Sequence, residues 1–158
     1  MIQGGINTET KLMKMNLSRT DKCCICKDEK EDLEHILINC TGINQVWEWV
    51  ERSINCLDGK TYTVTKQEKI LNYRSVTEKH QYHNIILVII AIARYELWKR
   101  RCVYRYDKRQ IDIKSTIETI KAKLKTHMDL IEKKLIATKC IRQRSVDNLM
   151  RYLTRKTP

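Results

Sequence analysis

CCICKDEKEDLEHILINC, residues 23–40, carries the spacing Cys-x2-Cys-x8-His-x4-Cys through Cys23, Cys26, His35 and Cys40. Three thiols and one imidazole close a tetrahedron around a single ion and leave no position open for water. That donor set is the one a structural Zn2+ site requires. His35 and Cys40 are five residues apart, about 140° out of line on an α-helix of 3.6 residues per turn. Both reach one ion only if the helix carrying His35 ends near Cys40, and Thr41-Gly42 offers a place for that break. One residue between Cys24 and Cys26 makes a poorer knuckle, so Cys23 is the expected ligand and Cys24 a free thiol. The competing reading is three ordinary buried cysteines and a core histidine.

Outward from this stretch the chain reads as all-α. Its only proline is the last of 158 residues and it has four glycines, so few positions force a helix to stop. Hydrophobic residues make up 42%, enough for a real core. The first residues lack the basic and apolar regions of a secretory signal. The longest apolar run, Ile85 to Ala93, is nine residues against the roughly 20 that cross a bilayer. Seven cysteines, four of them at or beside ligand spacing, point to reduced thiols and an intracellular setting, nuclear or cytoplasmic.

Helical spacing places the elements. A short helix within residues 7–22 brings Leu12, Met13 and Met15 to apolar contacts. Leu33, Ile36, Leu37 and Cys40 form one helical face, and Ile43, Val46, Trp47, Val50 and Ile54 form the next. Asp58-Gly59 is a turn, residues 61–65 an extended loop, and Lys66–Arg74 a modest helix. The stretch from Thr77 through NIILVIIAIARYELWKRRCVYRY is apolar on every side around Ile85–Ala93, so it is the expected buried central helix. A long amphipathic, basic C-terminal helix follows, with Ile113, Ile117, Ile120, Leu124, Met128, Ile131 and Leu135 in one stripe and Ser115-x-x-Glu118 as a capping box. His127 falls on its apolar side. The tail repeats the pattern with Val146, Leu149, Met150 and Leu153. The expected organisation is a zinc-stapled helical domain: a zinc-binding lobe over residues 1–56 and a basic helical region over 67–158 packing on it.

Charge divides along the same line. Net charge is +12, but residues 1–60 carry −2 and residues 61–158 carry +14. A strongly basic half suits a polyanionic partner, RNA or DNA. The zinc lobe itself is acidic by count, with three Lys and six acids between residues 20 and 40, and does not look like a phosphate holder. The candidate nucleic-acid surface is therefore Lys99, Arg100, Arg101, Arg105, Lys108 and Arg109, continuing through Lys114, Lys121, Lys123 and Lys125. Tyr104 and Tyr106 are interleaved for stacking on bases. His80 and His83, one turn apart, have no third ligand in sequence, and Cys56, Cys102 and Cys140 read as packing residues. No Gly-rich phosphate loop, deaminase motif or aspartate pair for two metals appears. The expectation is a non-catalytic module without a membrane or small-molecule partner, with the apolar helix available for self-association. The alternative is a helical protein-interaction module with a structural zinc.

The stretch from Asn7 to Val50 resembles the zinc-binding domain at the C-terminal end of reverse transcriptases from non-LTR (LINE-type) retrotransposons. The likeness is carried by Cys23, Cys26, Glu31, His35, Ile36, Leu37, Cys40 and Trp47, preceded by Asn7-Thr8 and Lys11-Leu12. Cys24 and Thr41 stand where that family has proline, and Asp32 where it has Thr or Ser. ARYELWKRR, within Ala91–Arg101, is similar to the helical region that follows the motif. The resemblance implies the C-terminal piece, or a relic, of a polyprotein whose endonuclease and polymerase are not in this chain. The implied task is holding template RNA or target DNA.

Overall fold

The computed structural model describes residues 6–71, 82–110, 112–137 and 143–154. Thr8 starts the first helix, α1 (Glu9–Lys14), by accepting the Lys11 amide on its hydroxyl at 3.3 Å. Only Leu12 of its apolar residues is buried; Met13 and Met15 are exposed, because a helix this short shows the protein one face. The chain then forms the cysteine knuckle, closed by an isolated antiparallel bridge between Lys22 and Lys30. A π-helical turn, His35–Asn39, and a 3-10 turn, Thr41–Ile43, lead into α2 (Asn44–Asp58). Gly59, at φ 73°, ends α2 in the left-handed conformation that favours glycine.

Residues 61–65 are extended, as their sequence suggests, and are held to α2 by side chains. Asn55 Oδ1 accepts the Tyr62 amide at 2.7 Å and Glu51 Oε1 accepts the Val64 amide at 3.0 Å. Next comes α3 (Lys66–Leu71); the expected continuation to Arg74 lies outside the described residues. A capping box does exist, but here and not at Ser115. Thr65 Oγ1 accepts the Glu68 amide at 3.3 Å and Glu68 Oε2 accepts the Thr65 amide at 2.8 Å.

The central helix α4 (His83–Asp107) carries the apolar run. Ile85, Ile86, Ile89, Ile90, Ala93 and Leu97 are buried. Each of the isoleucines and Leu97 contributes about 1.5–3 kcal/mol on removal from water. Burial is not all round, however: Leu87, Val88, Ala91 and Ile92 are half-buried, since neighbouring helices engage one side of α4 most fully. The start expected near Thr77, and His80, lie outside the described residues.

α5 (Ile113–Ala137) begins at Asp112, whose Oδ2 accepts the Ser115 amide at 3.2 Å. Glu118, expected to close a box with Ser115, instead pairs with Lys121 at 2.9 Å. Ile117, Ile120, Leu124 and Met128 are buried as their spacing requires, whereas His127 is only half-buried and Leu130 is exposed. The side chains of Ile131 and Leu135 lie outside the described residues. The last helix, α6 (Gln143–Thr154), buries Val146, Leu149 and Leu153.

α2, α4, α5 and α6 pack on one another around one core, in which Trp49 stacks on Tyr152 at 6.2 Å between ring centres. The π turn contacts both α3 and α4. The fold is thus mostly helical, with no strand among the described residues, and the cysteine knuckle sits against the middle and C-terminal half of α4. No described helix is long and apolar enough to cross a membrane.

Candidate metal centre

The knuckle is built by backbone hydrogen bonds that turn two thiols to one side. The Cys23 amide donates to Glu29 O at 2.7 Å, the Glu31 amide to Asp21 O at 2.7 Å, and the Lys27 amide back to Cys23 O at 3.0 Å. Lys27 takes φ 65° to complete the turn. The Ile25 amide points at Cys23 Sγ, 3.4 Å away, a contact that favours a thiolate there.

The other two donors come from the π turn, which solves the alignment problem posed by their spacing. The Cys40 amide donates to His35 O at 2.8 Å, an i→i+5 bond that widens the turn and brings residues five apart toward one side. Cys40 then leaves the helix with φ −64° and ψ 122°. Asp32 caps the start of this turn: its Oδ1 accepts the His35 amide at 2.7 Å. Trp47 donates from Nε1 to Leu37 O at 2.8 Å, satisfying a carbonyl of the interrupted helix and fixing α2 against it.

The four donor atoms lie within 4.8 Å of one another. Cys23 Sγ and Cys40 Sγ are 4.0 Å apart, and Cys26 Sγ is 3.3 Å from His35 Nε2. A tetrahedron with Zn–S bonds of 2.3 Å has S–S edges of about 3.8 Å, so the separations suit zinc. Cys23, His35 and Cys40 are buried and Cys26 half-buried. Cys23, Cys26, His35 and Cys40 form a site for one structural zinc ion. Without the ion, the hydrogen bond to Cys40 and burial push the Cys23 thiol up, and the same bond pulls Cys40 down against burial. His35 Nδ1 lies 3.3 Å from a Glu29 carboxylate oxygen, near enough for attraction but out of line for a hydrogen bond.

Cys24 stands apart from the ligands. Its amide donates to Glu31 Oε2 at 3.3 Å, and burial together with the Glu31 charge pushes its thiol up to about 12. Glu31 itself is wholly buried; its Oε1 also accepts the Glu9 amide at 2.9 Å and two bonds from Arg101.

This last contact corrects the reading of the basic stretch. Arg101 is 0% exposed and bound to Glu31 and Glu9, so it is an internal anchor and not part of an outer surface. Burial works against its charge, but the hydrogen bond and charge of Glu31 outweigh that and raise its pKa. Arg105 also binds the Glu9 carboxylate, and Arg100 Nη1 donates to Gly42 O at 3.0 Å. Tyr104 is half-buried beneath the Lys27 ammonium, 4.5 Å from its ring centre. Lys99, Tyr106, Lys108 and Arg109 are exposed, as are Lys114 and Lys125. Lys121 is buried on Glu118, and Lys123 bonds to Glu96. The basic run is thus divided: three arginines dock the acidic lobe, and the exposed cations gather at the end of α4 and along α5. Arg19, Lys22 and Lys27, hidden in an acidic segment by charge counting, lie on the same side as the end of α4.

Residues 1–47 match the family model described as zinc-binding in reverse transcriptase. The match covers every ligand and closes on Trp47, the residue that ties the π turn to α2. It is a match to a zinc-binding domain, not to a catalytic polymerase domain. No curated protein and no solved structure matches the chain.

Proposed function

We propose that this chain is a non-catalytic accessory module of a retrotransposon reverse transcriptase, holding template RNA or target DNA beside the polymerase. The observation that carries the reading is the zinc site itself, built on the residues that match the reverse-transcriptase zinc-binding family. The charge arrangement supports it. Arg100, Arg101 and Arg105 engage the Gly42 carbonyl and the buried Glu31 and Glu9 carboxylates, so these two acids are answered internally. Lys99, Lys108, Arg109, Lys114 and Lys125 stay at the surface, where phosphates are met. Zinc in this reading is a fold staple: a closed Cys3His set has no coordination position for substrate.

An electrophoretic shift assay of the zinc-loaded chain tests the proposal. Structured RNA, single-stranded DNA and duplex DNA are offered at low salt, with binding expected at about micromolar or tighter and falling steeply as salt rises. No shift with any of the three would sink the reading and favour a helical protein-interaction module instead.

A further inference from the structure

We propose that the cleft between the cysteine knuckle and the C-terminal end of α4 binds the phosphate backbone of single-stranded nucleic acid. The proposal rests on the reading that the chain binds nucleic acid, and adds to it a face and a strand form. The cleft has a volume of about 550 Å3 and runs between the connection from α1 to the knuckle and the last turn of α4.

Its lining is cationic on both lips. Arg19, Lys22 and Lys27 stand on the zinc-lobe side, and Lys108 on the α4 side. The carboxylate on the wall, Glu9, is 2% exposed and already bound by Arg101 and Arg105. The acids that make the zinc lobe negative by count, Asp28, Glu29, Asp32 and Glu34, do not line it. Folding therefore separates the two signs of charge that alternate along residues 20–40. A concave surface of one sign concentrates an oppositely charged ligand more strongly than the same charges on a flat face.

The backbone around the cleft points the same way. Among the described residues three non-glycine positions have positive φ: Asn16 at 57°, Lys27 at 65° and Lys108 at 57°. All three line this cleft. The left-handed backbone ends a helix at Asn16 and at Lys108 and closes the cysteine knuckle at Lys27. At Lys27 and Lys108 it sets an ammonium on each lip. Lys22 is steadied by donating to Asp28 O at 2.5 Å, and Lys27 by lying over Tyr104.

Size and shape choose the strand form. A cleft of about 550 Å3 admits about one or two linked nucleotides, and not the width of a duplex. One face of Tyr104 is covered by Lys27, so recognition falls on phosphates and little on base identity.

The test measures fluorescence anisotropy of the full zinc-loaded chain with oligothymidylate and oligouridylate of about 15 nucleotides. A duplex of equal length and an acidic polyglutamate peptide serve as competitors. K22E/K27E/K108E is compared with K60E/K66E/R151E, which reverses exposed cations off the cleft and outside the basic run. The cleft set is expected to weaken single-strand binding at least about 30-fold and to lower the slope of log affinity against log salt by about 2, near 0.7 per lost phosphate contact. The off-cleft set should change affinity by about threefold or less. K22Q/K27Q/K108Q, which keeps side-chain bulk, should show an intermediate loss, and zinc content with circular dichroism verifies each fold. If the unmodified chain binds no oligonucleotide, the proposed function itself falls. If it binds but the cleft sets bind equally well, or the off-cleft set loses as much, the cleft assignment is overturned and the function stands. Tighter binding of duplex, or equal competition by polyglutamate, overturns the strand form or the ligand class.

Discussion

Glu31 and Arg101, seventy residues apart, form a buried ion pair in which one carboxylate oxygen accepts from Nε at 3.0 Å and Nη2 at 2.6 Å. The pair joins the acid between the zinc ligands to the middle of the basic stretch, and neither side chain is exposed. Removing one partner strands a buried charge, which costs about 3–5 kcal/mol. Arg101→Leu should therefore lower stability by that amount, read as the urea midpoint of the zinc-loaded protein. Glu31→Gln/Arg101→Leu should be milder than Arg101→Leu alone. Additive losses would mean the two residues act independently.

How far the chain could be read without its structure follows from which forces are local. Ligand spacing and the stripes of α2, α5 and α6 are local periodicities, and they appear in the fold wherever their side chains are described. The Glu31–Arg101 pair is not local, and charge along a sequence does not say whether an arginine meets solvent or a distant acid. Arg101 was thus expected on a surface and is buried. The π turn shows in the sequence only as a misfit, five residues between His35 and Cys40; the break expected at Thr41-Gly42 falls at Cys40, and Thr41-Gly42 open the 3-10 turn. The capping box at Thr65-x-x-Glu68 has the same hydroxyl-to-acid pattern as the one expected at Ser115-x-x-Glu118. What separates them is where each helix begins, set at the second by Asp112.

Gly42 is required by close packing, not by an unusual φ. A Cβ there would come within 2.7 Å of Ile25 Cγ2, pressing the 3-10 turn into the knuckle. Gly42→Ala should cost about 1–3 kcal/mol, the range for overpacking a filled site. Ile25→Ala removes the obstructing methyl, so the double variant should recover part of the loss in thermal denaturation. A Gly42→Ala protein as stable as the parent would show that the knuckle yields easily.

Zinc removal should release the lobe and spare the bundle. The ion ties together the knuckle and the π turn; the apolar core also takes in Cys23, Cys40 and Ile43, but most of its side chains belong to α2, α4, α5 and α6. Cys40→Ser, or treatment with a chelator, should abolish the single bound zinc and reduce helical circular dichroism by roughly a tenth. Hydrogen exchange should rise over residues 9–43. Ligation needs neutral imidazole and thiolate, so lowering the pH protonates the donors and releases the metal. Zinc content measured across an acid titration should fall in one step, and complete loss of helicity with the metal would instead make the bundle dependent on it.

Cys24 should be the unreactive thiol of the cluster even though it is no ligand. Thiolate is the nucleophile, and burial beside Glu31 holds this thiol at about 12 against an ordinary 9.0. The raised value favours the neutral thiol in the fold. That contribution to stability is complete below pH 9 and is lost as pH rises toward 12. At pH 8 the native, zinc-loaded protein should alkylate at Cys24 two to three orders of magnitude more slowly than the urea-unfolded chain, roughly in proportion to thiolate. Peptide mapping after iodoacetamide treatment reads this directly, and comparable rates in the two states would remove the assignment.

Asp32 departs from the family's usual Thr or Ser, yet its carboxylate oxygen accepts the His35 amide at 2.7 Å at the start of the ligand-bearing turn. Orientation of the His35 ring depends on that turn, so the substitution should be neutral in one direction and costly in the other. Asp32→Thr keeps an acceptor at the same reach and should retain both stability and zinc affinity. Asp32→Ala leaves the amide without its side-chain partner and should cost about 1 kcal/mol. Competition with a chromophoric chelator should then show zinc bound several-fold more weakly in Asp32→Ala than in Asp32→Thr. Equal affinities would mean that the knuckle and Trp47 alone position His35, and that the acid at this position serves only charge.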